Sequence, residues 1–468
     1  MRQWLIPDEA IFADLSRHGN TKWSPLNLLW LALLWTWSEQ RCLTDAFAQA
    51  MEQAGALLPG VALTTYQGLM NALLRWSSRL VPLLCQVLHQ HMSRLRRHYH
   101  IAGWVPLAID GFRCDTPRTK SNEAAFCAKN YGHGKRSRYG KKKSQGLRRK
   151  RNKANPPHPP RPQVWCTMIW HMALRLPWRW RIGASDSSER FHAQEMIDRK
   201  NCPENTLFIA DAGFVGFLFW SHLLNGGHQF LMRVGSNVHL LSEHARWHFE
   251  KEGSEVIVLC WPRVARDTKK PPLRVRLMRV MVGKTEMCLL TSVLDETRLS
   301  QSLARQLYAQ RWGVEVEIRG LKQTMDRVKL RCRESGRLLV ELEWAILGLA
   351  VVELLAVKEQ LAGASQHSPR KRKRLKTQPP DPSRRSLAQA LRVLRGCLAQ
   401  PDAVPLSGKT LATLLRQAVT DDYVRTKGKH ARYRPKNPDK QRLGDPVIAT
   451  FNAELRKQLR QQTTAIAA

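Results

Sequence analysis

Along the chain, the spacing of apolar positions first follows a helical period and then a strand period. Residues 1–100 read as helices. The stretch "SPLNLLWLALLWTWSEQRCLTDAFAQAME" opens with Ser24 and Pro25, an N-cap followed by a proline at the first helical position. The run Leu26–Trp37 is the most apolar of the chain; at twelve residues it falls short of the about 20 that a membrane span needs, so a buried core helix is expected. A second helical pattern covers "TTYQGLMNALLRWSSRLVPLLCQVLHQHMSRLRRHY", with Thr64 or Thr65 as its cap. Its basic end (Arg94, Arg96, Arg97, His98) suits the helix dipole and could also meet phosphate. A plain helical bundle and a DNA-binding helical domain both remain open for this region.

The period then changes. "GWVPLAIDGF" reads as a buried strand, Val105–Ile109, ending at Asp110 and Gly111. "VWCTMIWHMAL" and "PWRWRIG" predict two further strands joined by a short turn, and "SSERFHAQEMIDRK" a short helix. "TLFIADAGF" gives another strand, Leu207–Ala210, again ending at an Asp. Three strands, a helix and a strand make an α/β core, the expected fold class. Residues 226–295 look β-rich, a long helix is expected from Leu299 to Met325, and a fully buried one over Leu338–Leu361. The stretch 363–385 is a basic linker, and 386–468 a helical and basic tail.

Charge changes this picture. The chain of 468 residues has 76 Lys+Arg against 38 Asp+Glu, a formal net charge of +38, which points to a polyanionic partner. With 43% hydrophobic residues and 16 Trp, general disorder is excluded. Residues 113–162 carry 16 Lys+Arg and only Asp115 and Glu123 as acids. Nearly devoid of apolar periodicity, this stretch is expected to be a flexible basic insertion, solvated or ordered on nucleic acid. The ten cysteines include no CxxC, so buried reduced thiols are expected rather than zinc ligands. Asp8, Glu9 and Asp14 interrupt the N-terminus where a signal peptide would need an apolar run.

Candidate chemistry comes last. Asp110 and Asp211 each end a predicted strand, where side chains of an α/β sheet reach an open crevice; alone, either is also an ordinary Asp-Gly-type turn. On the helix "LARQLYAQRWGVEVEIRGLKQTM", an advance of about 100° per residue puts Tyr308, Arg311, Glu315 and Lys322 within roughly 60° of one another, with Glu317 opposite. A solvated stripe with an Arg311–Glu315 pair would also give this pattern. In "ASDSSERFHAQE", Asp186, Glu189 and His192 read as a capped helix start or as groups supporting a site.

The spacing Y-x2-R-x3-E-x6-K, with "LAIDGF" and "FIADAGFVG" before it and "FLMRVGSN" after the second Asp, resembles the DDE transposases of bacterial insertion sequences, in the "insertion sequence four" group. The resemblance covers roughly residues 20–360. It implies an RNase H-like catalytic core (101–225 and 296–362), an inserted β-rich domain at 226–295 and an N-terminal helical domain at 1–100. It further implies that Asp110, Asp211 and Glu315 are catalytic and bind two Mg2+ ions, with Mn2+ as a substitute. Tyr308, Arg311 and Lys322 would contact DNA phosphates. Trp261, with Trp247 as its rival, would stack on a base flipped during hairpin formation, unless both are core residues.

The implied activity is cut-and-paste transposition on terminal inverted-repeat DNA and target DNA. The implied assembly is a homodimer in the synaptic complex, with no membrane partner, in the bacterial cytoplasm near the nucleoid. The rivals are a metal-dependent nuclease of the same fold that does not transpose, and a non-catalytic DNA-binding protein derived from a transposase.

Overall fold

The structure, a computed structural model, describes residues 2–6, 8–15, 23–58, 63–127, 161–184, 188–198, 202–236, 238–242, 255–260, 272–283, 285–365, 384–399, 410–420 and 444–450. Residues 128–160 of the basic insertion, 366–383 of the linker, Asp186, Trp247 and Trp261 lie outside them.

Helix α1 (Pro25–Trp37) starts where the sequence predicts: Ser24 Oγ accepts from the Asn27 amide at 3.1 Å, and every residue of the helix is buried. Helix α2 spans Leu43–Leu57, and α3 (Tyr66–Arg94) is capped by Thr65, whose hydroxyl accepts from the Gly68 amide at 3.1 Å. Between them lies α9 (Ser335–Ser365), which packs against both α1 and α3. Gly348 of α9 permits that approach: a Cβ there would lie 2.5 Å from Thr36 Oγ1, and the Trp37 indole donates to the Gly348 carbonyl at 3.0 Å. The run Leu26–Trp37 is thus a core element, and no helix among the described residues is long and apolar enough to cross a membrane.

The strands form one mixed sheet in the order β10-β6-β7-β8-β9-β5-β4-β1-β2-β3. The first three, β1 (Val105–Asp115), β2 (Gln163–His171) and β3 (Leu176–Gly183), form an antiparallel meander. Strand β4 (Thr206–Ala210) returns parallel to β1, and β5 (Gln229–Val234) lies parallel to β4. The stretch expected to be β-rich supplies β6 (His239–Ser242), β7 (Glu255–Cys260), β8 (Leu273–Val282) and β9 (Thr285–Thr291). These continue the same sheet, because β9 pairs antiparallel with β5. Strand β10 (Val447–Thr450) closes the edge, parallel to β6.

Beyond two four-residue helices at Arg2–Leu5 and Arg96–Tyr99, the chain continues with α4 (Lys120–Phe126), α5 (Glu189–Asp198) and α6 (Phe217–Asn225), then α7 (Gln301–Gln310) and α8 (Trp312–Arg319). Near the C-terminus lie α10 (Leu387–Ala399) and α11 (Leu411–Arg416).

Two expectations need correction. Strand β1 does not stop at Ile109: β2 pairs with it as far as Asp115, so Asp110 sits inside the strand. The single helix Leu299–Met325 is instead α7 and α8, broken at Arg311 and followed by a π-helical turn at Gly320–Thr324. The nine cysteines whose side chains are described are free thiols.

Candidate active site

The register of the sheet builds the first half of the site. Parallel pairing places Ala108 opposite Ile209. The same register carried two residues further brings Asp211, the first residue past the end of β4, level with Asp110 of β1. Strand β4 ends at Ala210, whereas β1 runs on, so the two aspartates flank the point where the sheet opens. Each carboxylate is locally fixed: Asp110 Oδ1 accepts from the Gly111 amide at 2.8 Å, and Asp211 Oδ1 from the Gly213 amide at 2.8 Å.

Helix α8 builds the second half. It lies against β1, and its close approach depends on Gly313, where any side chain would collide with the Trp170 ring of β2. The break at Arg311 turns that guanidinium inward. It reaches Asp110 Oδ2 at 3.4 Å and Glu315 Oε1 at 3.1 Å, and lies 5.7 Å from the centre of the Tyr308 ring. Tyr308 is itself buried.

Lys322 sits on the π turn, its ammonium 5.4 Å from the Phe112 ring centre. An open cavity of about 540 Å³ has Asp110, Asp211, Glu315, Arg319 and Lys322 on its wall. Of the sequence candidates, Asp110, Asp211, Glu315 and Lys322 therefore line one cavity. Arg311 ties two of them together, and Tyr308 packs behind Arg311. Glu317, expected on the opposite side, is buried there near Glu353 and Arg385.

Burial dominates the electrostatics of the site. Burial pushes the Asp110 carboxyl up to about 6, outweighing the Gly111 amide and the Arg311 guanidinium, which favour its charged form. Glu189, the first residue of α5, stands behind Gly111. Burial, then the charges of Asp110 and Asp211, push it up to about 7. The sequence shows it only as one polar residue at a helix start; its approach to the aspartates depends on how α5 packs on the sheet.

The donor set suits a hard cation. It is all carboxylate oxygen, and glycines at 111 and 213 leave room for the Glu189 and Asp211 carboxylates beside the strand ends. Among the described residues, no three His, Cys, Asp or Glu side chains close on a single point. A bound ion would therefore keep ligands from water or phosphate, as Mg2+ commonly does.

This geometry meets the comparisons with known proteins. Residues 171–351 match the family described as "Transposase DDE domain". The match includes Asp211, Arg311, Glu315 and Lys322, while Asp110 lies upstream of it and joins them through β1. The chain is 27% identical over 285 residues to "Transposase InsG for insertion sequence element IS4" of Escherichia coli (strain K12). That alignment covers 57% of this chain and 56% of the relative, so the chain spans little more than half of the relative's length. The resemblance to DDE transposases of the insertion sequence four type is thereby borne out. A solved "piggyBac transposase synaptic complex with hairpin DNA" aligns at a TM-score of 0.40 and 11% identity, covering 91% of this chain and 86% of that one; so low a score carries no argument.

Proposed function

We propose that the chain is a cut-and-paste DNA transposase whose active centre is Asp110, Asp211 and Glu315. The observation that carries this reading is the meeting of three carboxylates, from β1, the end of β4 and α8, on one cavity wall. The strand order β3-β2-β1-β4-β5, with β2 alone antiparallel to the other four, supports an RNase H-like core at 101–225 and 296–362 that extends through β5, at 229–234, into the start of the stretch 226–295. The rest of the stretch 226–295 is then the inserted β-rich part and 1–100 a DNA-binding helical domain.

Asp110, Asp211 and Glu315 would hold two Mg2+ ions, or Mn2+ in their place, which activate the attacking oxygen and stabilise the leaving one. The chain's own cations grip the DNA. Lys322 offers a point charge at the cavity wall, and Arg311 a planar fork for phosphate. Tyr308 supports Arg311 from behind. Trp261 remains the proposed base-stacking residue, through a hairpin step carried over from the resemblance.

Terminal inverted-repeat DNA, target DNA and a second copy of the chain are the proposed partners. The test is incubation of the full chain with Mg2+ and DNA bearing its element's inverted repeats. Nicking at the repeat boundary, followed by joining of the freed end to a second duplex, is expected. Nicking without joining would leave a nuclease, and binding without nicking a non-catalytic DNA-binding protein.

A further inference from the structure

We propose that Glu189 is a fourth metal-binding carboxylate of this centre, sharing a divalent cation with Asp211 from the α5 side of the sheet, the rest of the ion's ligands coming from water or phosphate. The inference rests on the functional reading above and adds a residue that the three-carboxylate signature does not contain.

The placement is specific. Successive residues of a strand face opposite sides, so Gly111 faces away from Asp110. It faces α5: its partner in β2 is Thr167, whose hydroxyl lies 3.2 Å from His192 Nδ1 of that helix. A Cβ on Gly111 would lie 2.5 Å from Glu189 Oε1 and 2.9 Å from both Cγ and Cδ of that side chain. A Cβ on Gly213 would lie 3.8 Å from Glu189 Oε2. The carboxylate therefore spans the gap between the residue after Asp110 and the second residue after Asp211. It can do so because neither glycine has a side chain.

The charge balance says what belongs there. Asp110 and Glu315 share the Arg311 guanidinium. No hydrogen bond or salt bridge to Glu189 forms among the described residues. The nearby Arg113 stacks its guanidinium over the Trp165 ring at 4.1 Å. A half-buried carboxylate beside two others, with Arg113 as its one nearby cation and no ion pair to it, is destabilised unless a further positive charge enters. Oxygen donors converging from two elements suit a hard divalent ion completed by water or phosphate. Glu189 thus lies on one side of β1 while Arg311 and Glu315 approach from the other, which leaves the Asp110–Asp211 gap between them.

The test is metal binding by the full chain without DNA. Mn2+ affinity is measured by calorimetry, and bound water is counted from Tb3+ luminescence lifetimes in H2O and D2O. The variants are Asp110→Asn, Glu189→Gln and Glu189→Asp. Glu195→Gln serves as control, because Glu195 pairs with Arg181 at 2.9 Å on the exposed side of α5.

The inference expects Asp110→Asn and Glu189→Gln each to weaken Mn2+ binding by about tenfold or more, about 1.4 kcal/mol. It expects Glu189→Gln to add a water to bound Tb3+, Glu189→Asp to recover part of the affinity, and Glu195→Gln to match wild type. Asp110→Asn weakening binding while Glu189→Gln and Glu189→Asp bind like wild type would overturn it. Weaker binding by Glu189→Gln with no added water would also overturn it, since the residue would then act through its charge alone. A wild type that binds no Mn2+, or that Asp110→Asn leaves unchanged, would instead strike at the functional reading on which the inference rests.

Discussion

Asp110 is where buried charge has its clearest consequence. Its carboxyl is held up to about 6 by burial, so the folded protein keeps a proton that the unfolded chain gives up near pH 4. The folded state is therefore favoured by this group at low pH, and that contribution is lost as pH rises through about 6. Glu189, at about 7, acts in the same direction over a slightly higher range. In chelator, Asp110→Asn should raise stability at pH 7.5 by on the order of 1–2 kcal/mol and have no such effect at pH 4. Thermal melts of the two proteins across that range check this. Added Mg2+ should raise the melting temperature of wild type at pH 7.5 and do little for the variant. Melting curves that respond identically to Mg2+ would remove Asp110 from the site.

Among elements, the segment after the signature helix depends on one buried acid. Glu341 of α9 accepts from the Arg331 amide at 2.9 Å and the Cys332 amide at 2.9 Å, and lies 3.9 Å from the buried Arg327. Glu341→Leu would strand two amides and leave the Arg327 guanidinium with the Met325 and Asp326 carbonyls but without its buried carboxylate, and should cost about 3–5 kcal/mol in denaturant unfolding. Gly348→Ala is a packing counterpart. With Thr36 Oγ1 only 2.5 Å from the new methyl, α1 and α9 must shift, which should cost about 1–3 kcal/mol.

Elements also show what could be read without the structure. The strongly apolar run 26–37 and the strand at 206–210 were legible because local pattern and burial agree there. The extent of β1 was not, because "DG" signals a turn and only the long-range pairing with β2 carries the strand through it. The π turn at Gly320 was equally hidden. A uniform 100° advance put Lys322 on the Glu315 face, and the residue reaches the same cavity through an irregular turn. Strands β6 and β10 are four residues each and pair across some two hundred positions, beyond the reach of any local pattern. The alignment of Asp110 with Asp211 follows from parallel register, and the approach of Glu189 from helix packing. Neither is written in spacing.

For the whole molecule, the charge of +38 coexists with a site that gathers carboxylates. On the proposed function the two serve different purposes: the excess of Lys and Arg would grip phosphate without reading sequence, and the carboxylates would act on one bond. Replacing Arg148, Arg149, Lys150 and Arg151 with Gln should weaken binding to duplexes of any sequence. It should also flatten the dependence of log affinity on log salt by about 0.9 for each phosphate that is no longer neutralised. A salt titration with two unrelated duplexes checks this, and a sequence-selective weakening would argue instead for base readout by that stretch.

The most direct measurement is nicking at the element end in Mg2+, comparing wild type with Asp110→Asn, Asp211→Asn and Glu315→Gln, with DNA binding followed in parallel. The account predicts that all three variants bind the end and none cuts it. Cutting at the wild-type rate by any one of them would contradict it.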